Sequence, residues 1–280
     1  MSVFPLNDGE VTALLDQAFA EDVASGDVTC ALVIGENENL TATMNAREDM
    51  VVVGTQLATA TFKRLDVNAE ITTHVSDGDK VTAGTPLMTI SGKARALLTG
   101  ERTALNIMQH LSGIATLTKA YVDQINHTEA KLLDTRKTIP GLRALAKYAT
   151  LMGGSTNHRM GLFDAVMIKD NHLAVAGSVE KAVKAAKSTG RSDIQVECDT
   201  LEQVTAAVDA GANSLLLDNM SPATLCEALA LVDGKIPCEA SGGVTLDTIK
   251  KIAETGVNYI SVGRLTQSAP AVDIGLDYRS

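Results

Sequence analysis

The chain has 280 residues, which is enough for one large barrel or two modest domains around a sizeable hydrophobic core. Its hydrophobic content of 45% is that of an ordinary globular protein, and no apolar run approaches the roughly 18 residues of a membrane-spanning helix. A formal net charge of -10 and an aromatic content of 3% argue against a protein that binds nucleic acid through a broad basic face or by stacking on bases.

The amino terminus and the cysteines bear on the cellular compartment. The opening MSVFPLNDGEV has no basic segment followed by an apolar one, so we expect no secretory signal. Cys30, Cys198, Cys226 and Cys238 have neither CxxC nor zinc-ligand spacing, which is typical of reduced thiols. We therefore expect a cytoplasmic protein.

The first part of the chain predicts a helix followed by a small sheet. Residues 8–20 carry an apolar stripe at helical spacing, with Asp8 as the expected N-cap. The acidic, turn-rich segment EDVASGDVT follows, and we expect Asp27 to be one of its loop and capping carboxylates. Turn signals then separate four β-like runs, and a helix lies among them: LTATMNA, MVVV, GTQLATATFKRL (the helix), AEITTHV and PLMTI. We predict an N-terminal antiparallel sheet-and-helix sandwich domain over residues 1–108.

Residues 93–125 predict helical structure with an interruption. The patterns ARALLTGERTALNIMQHL and SGIATLTKAYVDQI are both helical, and Ser112-Gly113 is the expected break between them. Arg102 lies in the first of these helices, where by its position alone it would be a surface charge.

From residue 131 onwards, short apolar strands alternate with amphipathic helices. The predicted strands are KLLD, AVMIK, IQVE, SLLLD, PCEAS and YISVG. The helices between them include SVEKAVKAAK, LEQVTAAVDA, SPATLCEALALV and TLDTIKKIAET. Apolar strands of this kind are typical of buried parallel sheets, so residues 109–280 predict an incomplete parallel α/β barrel of about six strands. The last residues of the chain could pack back on the N-terminal domain.

Charged residues or glycines follow each predicted strand. In chain order they are Asp134 with Arg136 and Lys137, then Lys169, Glu197, Asp218, Ser241-Gly242-Gly243 and Gly263-Arg264. The carboxyl ends of parallel strands meet at one end of a barrel, where active sites lie. The last two loops, ASGG and SVGR, each precede a helix and predict a phosphate site formed by backbone N–H groups. We therefore predict a functional site at this end.

The segment from Asp134 to His172 is basic although the chain is acidic. Its cations are Arg136, Lys137, Arg143, Lys147, Arg159 and Lys169. Arginine forks suit carboxylate or phosphate, so the segment indicates a pocket for a small anion. For Arg143 and Lys147, which are four residues apart in the helical GLRALAKYA, a solvated helix face is an equally good interpretation.

Several motifs together resemble a known family, the quinolinate phosphoribosyltransferases. They are DTRKT, PGLR, GGSTNHRMGL, IKDNH, LLDNM, EASGG and ISVG, with EDVASGDVT, GERTALN and QHLSGIAT in the first half of the chain. The resemblance covers nearly the whole chain and implies a pentosyltransferase of de novo NAD biosynthesis. The implied reaction joins quinolinate to phosphoribosyl pyrophosphate, with Mg²⁺ and no organic cofactor, and gives nicotinate mononucleotide, pyrophosphate and CO2. It also implies a homodimer or a trimer of dimers whose active sites are completed across the subunit interface.

The resemblance implies roles for individual residues. Quinolinate would be held by Arg136, His158, Arg159 and Lys169, with Arg102 reaching in from the neighbouring subunit. Lys137 would bind the diphosphate, and Glu197 and Asp218 would hold ribose hydroxyls directly or through Mg²⁺, for which hard oxygen ligands are suited. The 5-phosphate would be cradled by Ser241, Gly242, Gly243 and Gly263. Thr135, Val262 and Arg264 belong to the implied substrate site, and the implied catalytic residues are Lys137, Lys169, Glu197 and Asp218.

Two positions near the implied 5-phosphate depart from the family pattern. The family commonly has His where Gln267 stands, and a small residue where Arg264 stands. We hypothesise that Arg264 supplies the positive charge that the missing His would contribute.

Three alternative functions are compatible with parts of the sequence. A Schiff-base barrel lyase would use Lys169 at a strand end as its amine. A non-catalytic binder of phosphoribosyl ligands would need the glycine loops but not Lys169, Glu197 and the NHR segment. The related molybdenum-transport-associated pyrophosphorylase shares the HR motif but typically departs from the family at the lysine of IKDNH.

Overall fold

The computed structural model describes residues 4–279, apart from the side chain of Arg279. These residues form two compact units. The first comprises the described parts of Met1–Thr118, Ala144–Gly154 and Ser268–Ser280, and the second comprises Lys119–Arg143 and Ser155–Gln267. The division into residues 1–108 and 109–280 remains a prediction.

Helices and strands follow one another in a regular order. The helices are α1 (Asp8–Asp22), α2 (Val28–Val33), α3 (Thr55–Leu65), α4 (Ala94–Ile125), α5 (Arg143–Met152), α6 (Asp170–Ala176), α7 (Val179–Lys187), α8 (Leu201–Ala210), α9 (Pro222–Val232), α10 (Leu246–Ala253) and α11 (Arg264–Gln267). The strands are β1 (Asn39–Ala46), β2 (Met50–Val51), β3 (Glu70–Thr73), β4 (Lys80–Val81), β5 (Pro86–Lys93), β6 (Lys131–Leu133), β7 (Val166–Ile168), β8 (Ile194–Cys198), β9 (Ser214–Asp218), β10 (Cys238–Ser241), β11 (Tyr259–Ser261) and β12 (Ile274–Arg279). No helix of the described chain is long and apolar enough to cross a membrane.

The first unit contains a four-stranded antiparallel sheet in the order β12-β1-β5-β3. This confirms the predicted antiparallel sheet, and the short pair β2-β4 accompanies it. Met44, Met88 and Ile90 of the sheet are fully buried and pack in one core with Phe62 of α3 and Leu97 of α4. The strand β12 was not predicted, and it pairs with β1 from Thr41–Arg279 to Ala46–Ile274.

The helix α4 is continuous over 32 residues, so the predicted break at Ser112-Gly113 is wrong. Gly113 is needed for a close approach rather than for a turn, because a Cβ added there would lie 2.1 Å from the carbonyl oxygen of Pro270. The Ser112 hydroxyl accepts a hydrogen bond from the Val53 N–H at 2.9 Å and donates one to the Val53 carbonyl at 3.2 Å. Both residues therefore serve tertiary contacts that a local pattern does not reveal.

The N-cap of α1 is Asn7 rather than the predicted Asp8. The Asn7 side chain accepts from the Glu10 N–H at 3.0 Å, while the Glu10 carboxylate accepts from the Asn7 N–H at 2.9 Å. This reciprocal pair satisfies two backbone donors at once, which a cap at Asp8 would not. The segment EDVASGDVT also contains the start of the unpredicted helix α2, whose N-cap is Asp27, so the capping role expected for that carboxylate is confirmed.

The second unit contains six parallel strands in the order β6-β11-β10-β9-β8-β7. The first strand therefore lies beside the last, and the others follow in sequence, as in a barrel that stays open between β6 and β7. All six predicted strands are present, which confirms the incomplete α/β barrel. Four successive helices begin after hydroxyl N-caps, as expected for short strand–helix loops: Ser178, Thr200, Ser221 and Thr245.

Buried and partly exposed side chains alternate along β8, which leads to the barrel mouth, the end formed by the carboxyl ends of the six parallel strands. In β8, Ile194, Val196 and Cys198 are fully buried, whereas Gln195 and Glu197 between them are partly exposed. Successive side chains of a strand point to opposite faces, so Glu197 lies on the face opposite to the buried residues. The same geometry places the other strand-end residues around one cavity.

Candidate active site

The carboxyl ends of the six parallel strands surround a cavity of about 660 Å³ in the second unit. Its lining includes every predicted site residue that belongs to this unit: Thr135, Arg136, Lys137, His158, Arg159, Lys169, Glu197, Asp218, Ser241, Gly242, Gly243, Val262, Gly263 and Arg264. Arg102 belongs to the first unit, where it is exposed on α4, and it is not part of this lining.

The cavity is rich in positive charge. Five Lys or Arg residues contribute to its lining, against three carboxylates. The cations are Arg136, Lys137, Arg159, Lys169 and Arg264, and the carboxylates are Glu197, Asp218 and Glu239. In a chain of net charge -10, this concentration indicates a site for an anionic molecule.

Two arginines in the cavity are partly removed from water. Burial lowers the pKa of the Arg159 guanidinium, and the neighbouring charge of Arg136 lowers it further. Arg159 donates to the Ala165 carbonyl at 3.1 Å, whereas the buried Nε of Arg136 has no hydrogen-bond partner among the described residues. A bound carboxylate would relieve both the mutual repulsion and the unmet donor.

A buried carboxylate holds the loop after β6 to the segment that carries His158. Asp134 is fully buried and accepts from the His158 backbone N–H at 2.8 Å and from the Asn157 Nδ2 at 2.6 Å. Asp134 does not line the cavity. Its contribution is to fix the position of the NHR segment relative to the strand that precedes Arg136.

Glu239 is a cavity residue to which the sequence analysis gave no role. Its side chain is 2% exposed, and its Oε2 accepts from the His158 Nε2 at 3.2 Å and from the Gln195 Nε2 at 2.8 Å. The Nδ1 of His158 accepts from the Arg159 backbone N–H at 2.7 Å. Together these bonds fix the plane of the imidazole. An acidic residue inside the apolar run PCEAS was the signal that could have revealed it.

Lys169 and Glu197 form an ion pair across neighbouring strands of the barrel mouth. Lys169 precedes α6, and its backbone N–H donates to the His172 Nδ1 at 2.9 Å, so the lysine is held at the point where the strand becomes a helix. The Glu197 side chain is only 11% exposed. Glu197 lies within β8 and Lys169 lies between β7 and α6, so a strand and a strand–helix junction fix where both side chains enter the cavity.

The loop after β11 and the residues after β6 are packed against each other. A Cβ added to Gly263 would lie 2.8 Å from the Lys137 Cδ, so the lysine stem crosses the bare glycine backbone. The Thr266 hydroxyl donates to the Lys137 carbonyl at 2.8 Å, and the Val262 N–H donates to the Leu133 carbonyl at 3.1 Å. The absence of a side chain at Gly263 therefore leaves room for the stem of Lys137.

Seven further residues complete the lining: Met167, Leu216, Glu239, Val244, Thr245, Ser261 and Gln267. Met167, Leu216 and Ser261 each precede a predicted site residue by two positions, and residues two apart on a strand share a face. The period of two along each strand could therefore have identified them from the sequence.

Two cations of the basic segment, Arg143 and Lys147, lie outside the cavity lining, whereas the other four belong to it. Lys147 is 1% exposed, so a solvated helix face is the wrong interpretation for this residue. Arg143 donates from Nε to the Thr138 hydroxyl at 3.1 Å and from a terminal nitrogen to the Met160 carbonyl at 3.3 Å. Neither residue belongs to the cavity lining.

Comparisons with known proteins agree over nearly the whole chain. The model of the family described as "Quinolinate phosphoribosyl transferase, C-terminal domain" matches residues 114–277, and that of the corresponding N-terminal domain matches residues 27–112. A probable nicotinate-nucleotide pyrophosphorylase (carboxylating) of Bacillus subtilis is 41% identical over 274 residues, which cover 97% of this chain and 94% of the relative. The chloroplastic enzyme of that name from Oryza sativa is 42% identical over 288 residues, covering 95% of this chain and 77% of the relative.

The fold is also similar to solved structures. The nicotinate-nucleotide pyrophosphorylase of Francisella tularensis superposes with a TM-score of 0.94 at 40% sequence identity, and the match covers 100% of both chains.

Proposed function

The chain belongs to the quinolinate phosphoribosyltransferase family, and we propose that the cavity at the carboxyl ends of its parallel strands is where it carries out the family reaction. That reaction joins quinolinate to phosphoribosyl pyrophosphate and gives nicotinate mononucleotide, pyrophosphate and CO2 in de novo NAD biosynthesis. The observation that carries the proposal is that one cavity combines a surplus of cations with two glycine loops. The Schiff-base lyase and the molybdenum-associated pyrophosphorylase gain no such support, because the relatives are carboxylating pyrophosphorylases.

Quinolinate carries two adjacent carboxylates, and we assign it to the part of the cavity around Arg136, His158, Arg159 and Lys169. The unmet Nε donor of Arg136 and the partly desolvated Arg159 support this assignment. Guanidinium forks bind planar carboxylates with two parallel hydrogen bonds, which also fixes the orientation of the pyridine ring. Arg102 would add a further cation from a second copy of the chain.

Phosphoribosyl pyrophosphate is assigned to the rest of the cavity. Thr135 and Lys137 would bind the diphosphate, and Glu197 and Asp218 would accept hydrogen bonds from the ribose hydroxyls. The loops Ser241-Gly242-Gly243 and Val262-Gly263-Arg264 would bind the 5-phosphate through backbone N–H groups. Gly242 and Gly243 have φ values of 92° and 58°, a left-handed conformation in which successive N–H groups can converge on one anion.

The chemistry requires positioning and charge stabilisation more than a reactive side chain. The ring nitrogen of quinolinate attacks the anomeric carbon of the ribose while the bond to pyrophosphate breaks, and holding both substrates lowers that barrier. Lys137 stabilises the charge that develops on the departing pyrophosphate. The bond from the ring to the 2-carboxylate then breaks, its electron pair stays on the carbon beside the positive nitrogen, and a proton replaces the CO2 that leaves. None of the four cysteines lines the cavity, and burial raises the pKa of Cys198, next to Glu197, to about 12.

The residues of the cavity fit Mg²⁺ held jointly with the substrate. Glu197 and Asp218 provide two carboxylates at the ends of the paired strands β8 and β9. Among the described residues there is no cluster of three or more His, Cys, Asp or Glu side chains that could hold a metal ion alone. This suits Mg²⁺, which is commonly bound by one or two carboxylates together with waters and substrate phosphates. When bound, the ion would offset negative charge on the diphosphate.

We further propose a homodimer, or a hexamer made of three dimers, in which Arg102 completes the active site of the neighbouring subunit. Two inactive variants test this directly. Arg102→Ala and Lys169→Ala should each be inactive, and a mixture that has been allowed to exchange subunits should regain activity in about one quarter of its sites. A mixture that stays inactive after exchange would contradict the shared site.

The reaction itself is tested by CO2 release from carboxyl-labelled quinolinate in the presence of Mg²⁺. Release should depend on phosphoribosyl pyrophosphate, and nicotinate, which lacks the second carboxylate, should be inert in a parallel assay. Turnover of nicotinate would contradict the assignment of the cations to both carboxylates. Absence of turnover with either substrate would contradict the proposed function.

A further inference from the structure

Asn219 follows Asp218 at the end of β9 and does not line the cavity, yet it contacts the Asp218 side chain and the loop after β10, which both do. Its φ of 55° makes it one of three non-glycine residues with positive φ in the described chain. A residue with a Cβ is disfavoured in this left-handed region, although Asn is among the types best tolerated there. Such a conformation persists where surrounding contacts hold it.

The backbone of Asn219 ties β9 to the loop after β10. Asp218 is paired with Ser241 at the end of the parallel ladder, and the Asn219 N–H donates to the Ser241 carbonyl at 2.8 Å. The backbone hydrogen bonds between β9 and β10 therefore continue up to Ser241, the first residue of the Ser241-Gly242-Gly243 loop.

The side chain of Asn219 contacts both Asp218 and Gly242. Its Nδ2 donates to the Asp218 Oδ2 at 2.6 Å. On the other side, a Cβ added to Gly242 would lie only 2.1 Å from the Asn219 Oδ1, so the amide occupies the space that a side chain at position 242 would need. One planar amide is thus in contact both with the carboxylate and with the glycine loop.

We propose that Asn219 is a positioning residue that fixes the Asp218 carboxylate at a set distance from the Ser241-Gly242-Gly243 loop. This rests on the proposed function, in which Asp218 holds a ribose hydroxyl and the loop holds the 5-phosphate of the same molecule. Because the ribose hydroxyls and the 5-phosphate are joined by only a few covalent bonds, the subsites must keep a matching separation for productive binding. Asn219 would therefore act on phosphoribosyl pyrophosphate and not on quinolinate.

Asparagine meets three requirements of this position: it tolerates the left-handed backbone, it donates to Asp218, and it contacts Gly242. Glycine would adopt the left-handed conformation but would lose the amide. Alanine would lose the amide and keep the backbone strain. Aspartate would place a second carboxylate beside that of Asp218, with no donor between them.

The experiment compares Asn219→Gly and Asn219→Ala with Asp233→Ala. Asp233 is the matched control, because it also has a positive φ, 51°, but caps the carboxyl end of α9 away from the cavity lining. Both substitutions at Asn219 should raise the KM for phosphoribosyl pyrophosphate by about tenfold and that for quinolinate by less than about twofold. Asp233→Ala should lower the thermal midpoint as Asn219→Ala does, with both KM values unchanged.

A double-mutant cycle with Gly242→Ala adds a test of the contact itself. The new methyl group would displace the Asn219 amide in the native chain. Asn219→Gly removes this overlap with the side chain, although the Asn219 backbone nitrogen stays 2.8 Å from the added Cβ. The effects of the two substitutions on the KM for phosphoribosyl pyrophosphate should therefore be non-additive.

Different outcomes separate this inference from the function on which it rests. If Asp218→Asn leaves the KM for phosphoribosyl pyrophosphate unchanged, the proposed role of Asp218 is wrong. If Asp218→Asn raises that KM while Asn219→Gly does not, the positioning role alone is overturned. If Asp233→Ala changes the kinetics as Asn219→Ala does, backbone strain and not the amide is the cause, which also overturns it.

Discussion

Replacing Glu239 should impair the use of quinolinate far more than that of phosphoribosyl pyrophosphate. The Glu239 carboxylate is 2% exposed and accepts hydrogen bonds from His158 and Gln195 at 3.2 and 2.8 Å. Glu239→Ala removes both bonds, so the His158 and Gln195 side chains lose this acceptor. His158 can then rotate out of the plane that Glu239 fixes.

The size of the effect follows from the bonds that are lost. A hydrogen bond to a charged group contributes about 1.5–3 kcal/mol, and each 1.4 kcal/mol corresponds to about a tenfold change. Loss of the bond that orients His158 should therefore lower kcat/KM for quinolinate by roughly 10- to 100-fold. Glu239→Gln keeps the shape and can keep its amide oxygen at the position of Oε2, where both donors converge, so its loss should be smaller.

The assay is initial-rate kinetics with each substrate varied while the other is saturating. Cys238→Ala is the matched control, because Cys238 is fully buried in the same strand but is absent from the cavity lining. It should lower stability in urea and leave both KM values unchanged. An equal loss of kcat/KM for both substrates in Glu239→Ala, or no loss, would refute the link between Glu239 and His158.

Three further predictions concern other parts of the chain. Gly113→Ala should destabilise the protein by about 2 kcal/mol or more in urea unfolding, because its Cβ would overlap a backbone carbonyl. The control is Gly100→Ala in the same helix, where the added Cβ would first meet a leucine side chain at 3.0 Å. It should change the free energy of unfolding by less than about 1 kcal/mol. Burial raises the pKa of Cys198 to about 12, so at pH 8 iodoacetamide should modify the exposed Cys226 of the folded protein and leave Cys198 intact until it unfolds. Arg264→Ala should raise the KM for phosphoribosyl pyrophosphate more than that for quinolinate; equal changes would contradict the phosphate role of Arg264.

The barrel mouth could be predicted from the sequence because its signals are local. Each buried parallel strand is a short apolar run, and the residue at its carboxyl end necessarily joins the others at one end of the barrel. Lys169, Glu197 and Asp218 therefore line one cavity, as expected. Glu239 was missed because it lies inside a strand, where its partner His158 is 81 residues away along the chain.

The errors in the fold arise where tertiary contacts override local preference. Gly113 is a helix breaker by propensity, but the close approach of Pro270 requires a glycine within an unbroken helix. The strand β12 offered only six residues of alternation, and its existence depends on β1 at the other end of the sequence. Arg102 could be assigned only through family resemblance, because no local pattern distinguishes it from an ordinary surface charge.

The pairing of β12 with β1 also determines when the first sheet can be completed during synthesis. Strand β1 leaves the ribosome about 230 residues before its partner, which at about 5–20 residues per second is a delay on the order of 10–50 s. Throughout that interval one edge of β1 has unpaired N–H and C=O groups, a template for pairing with another nascent chain. The part of the protein that is made first is thus the last to be finished, and its exposed edge is where a chaperone would be most useful.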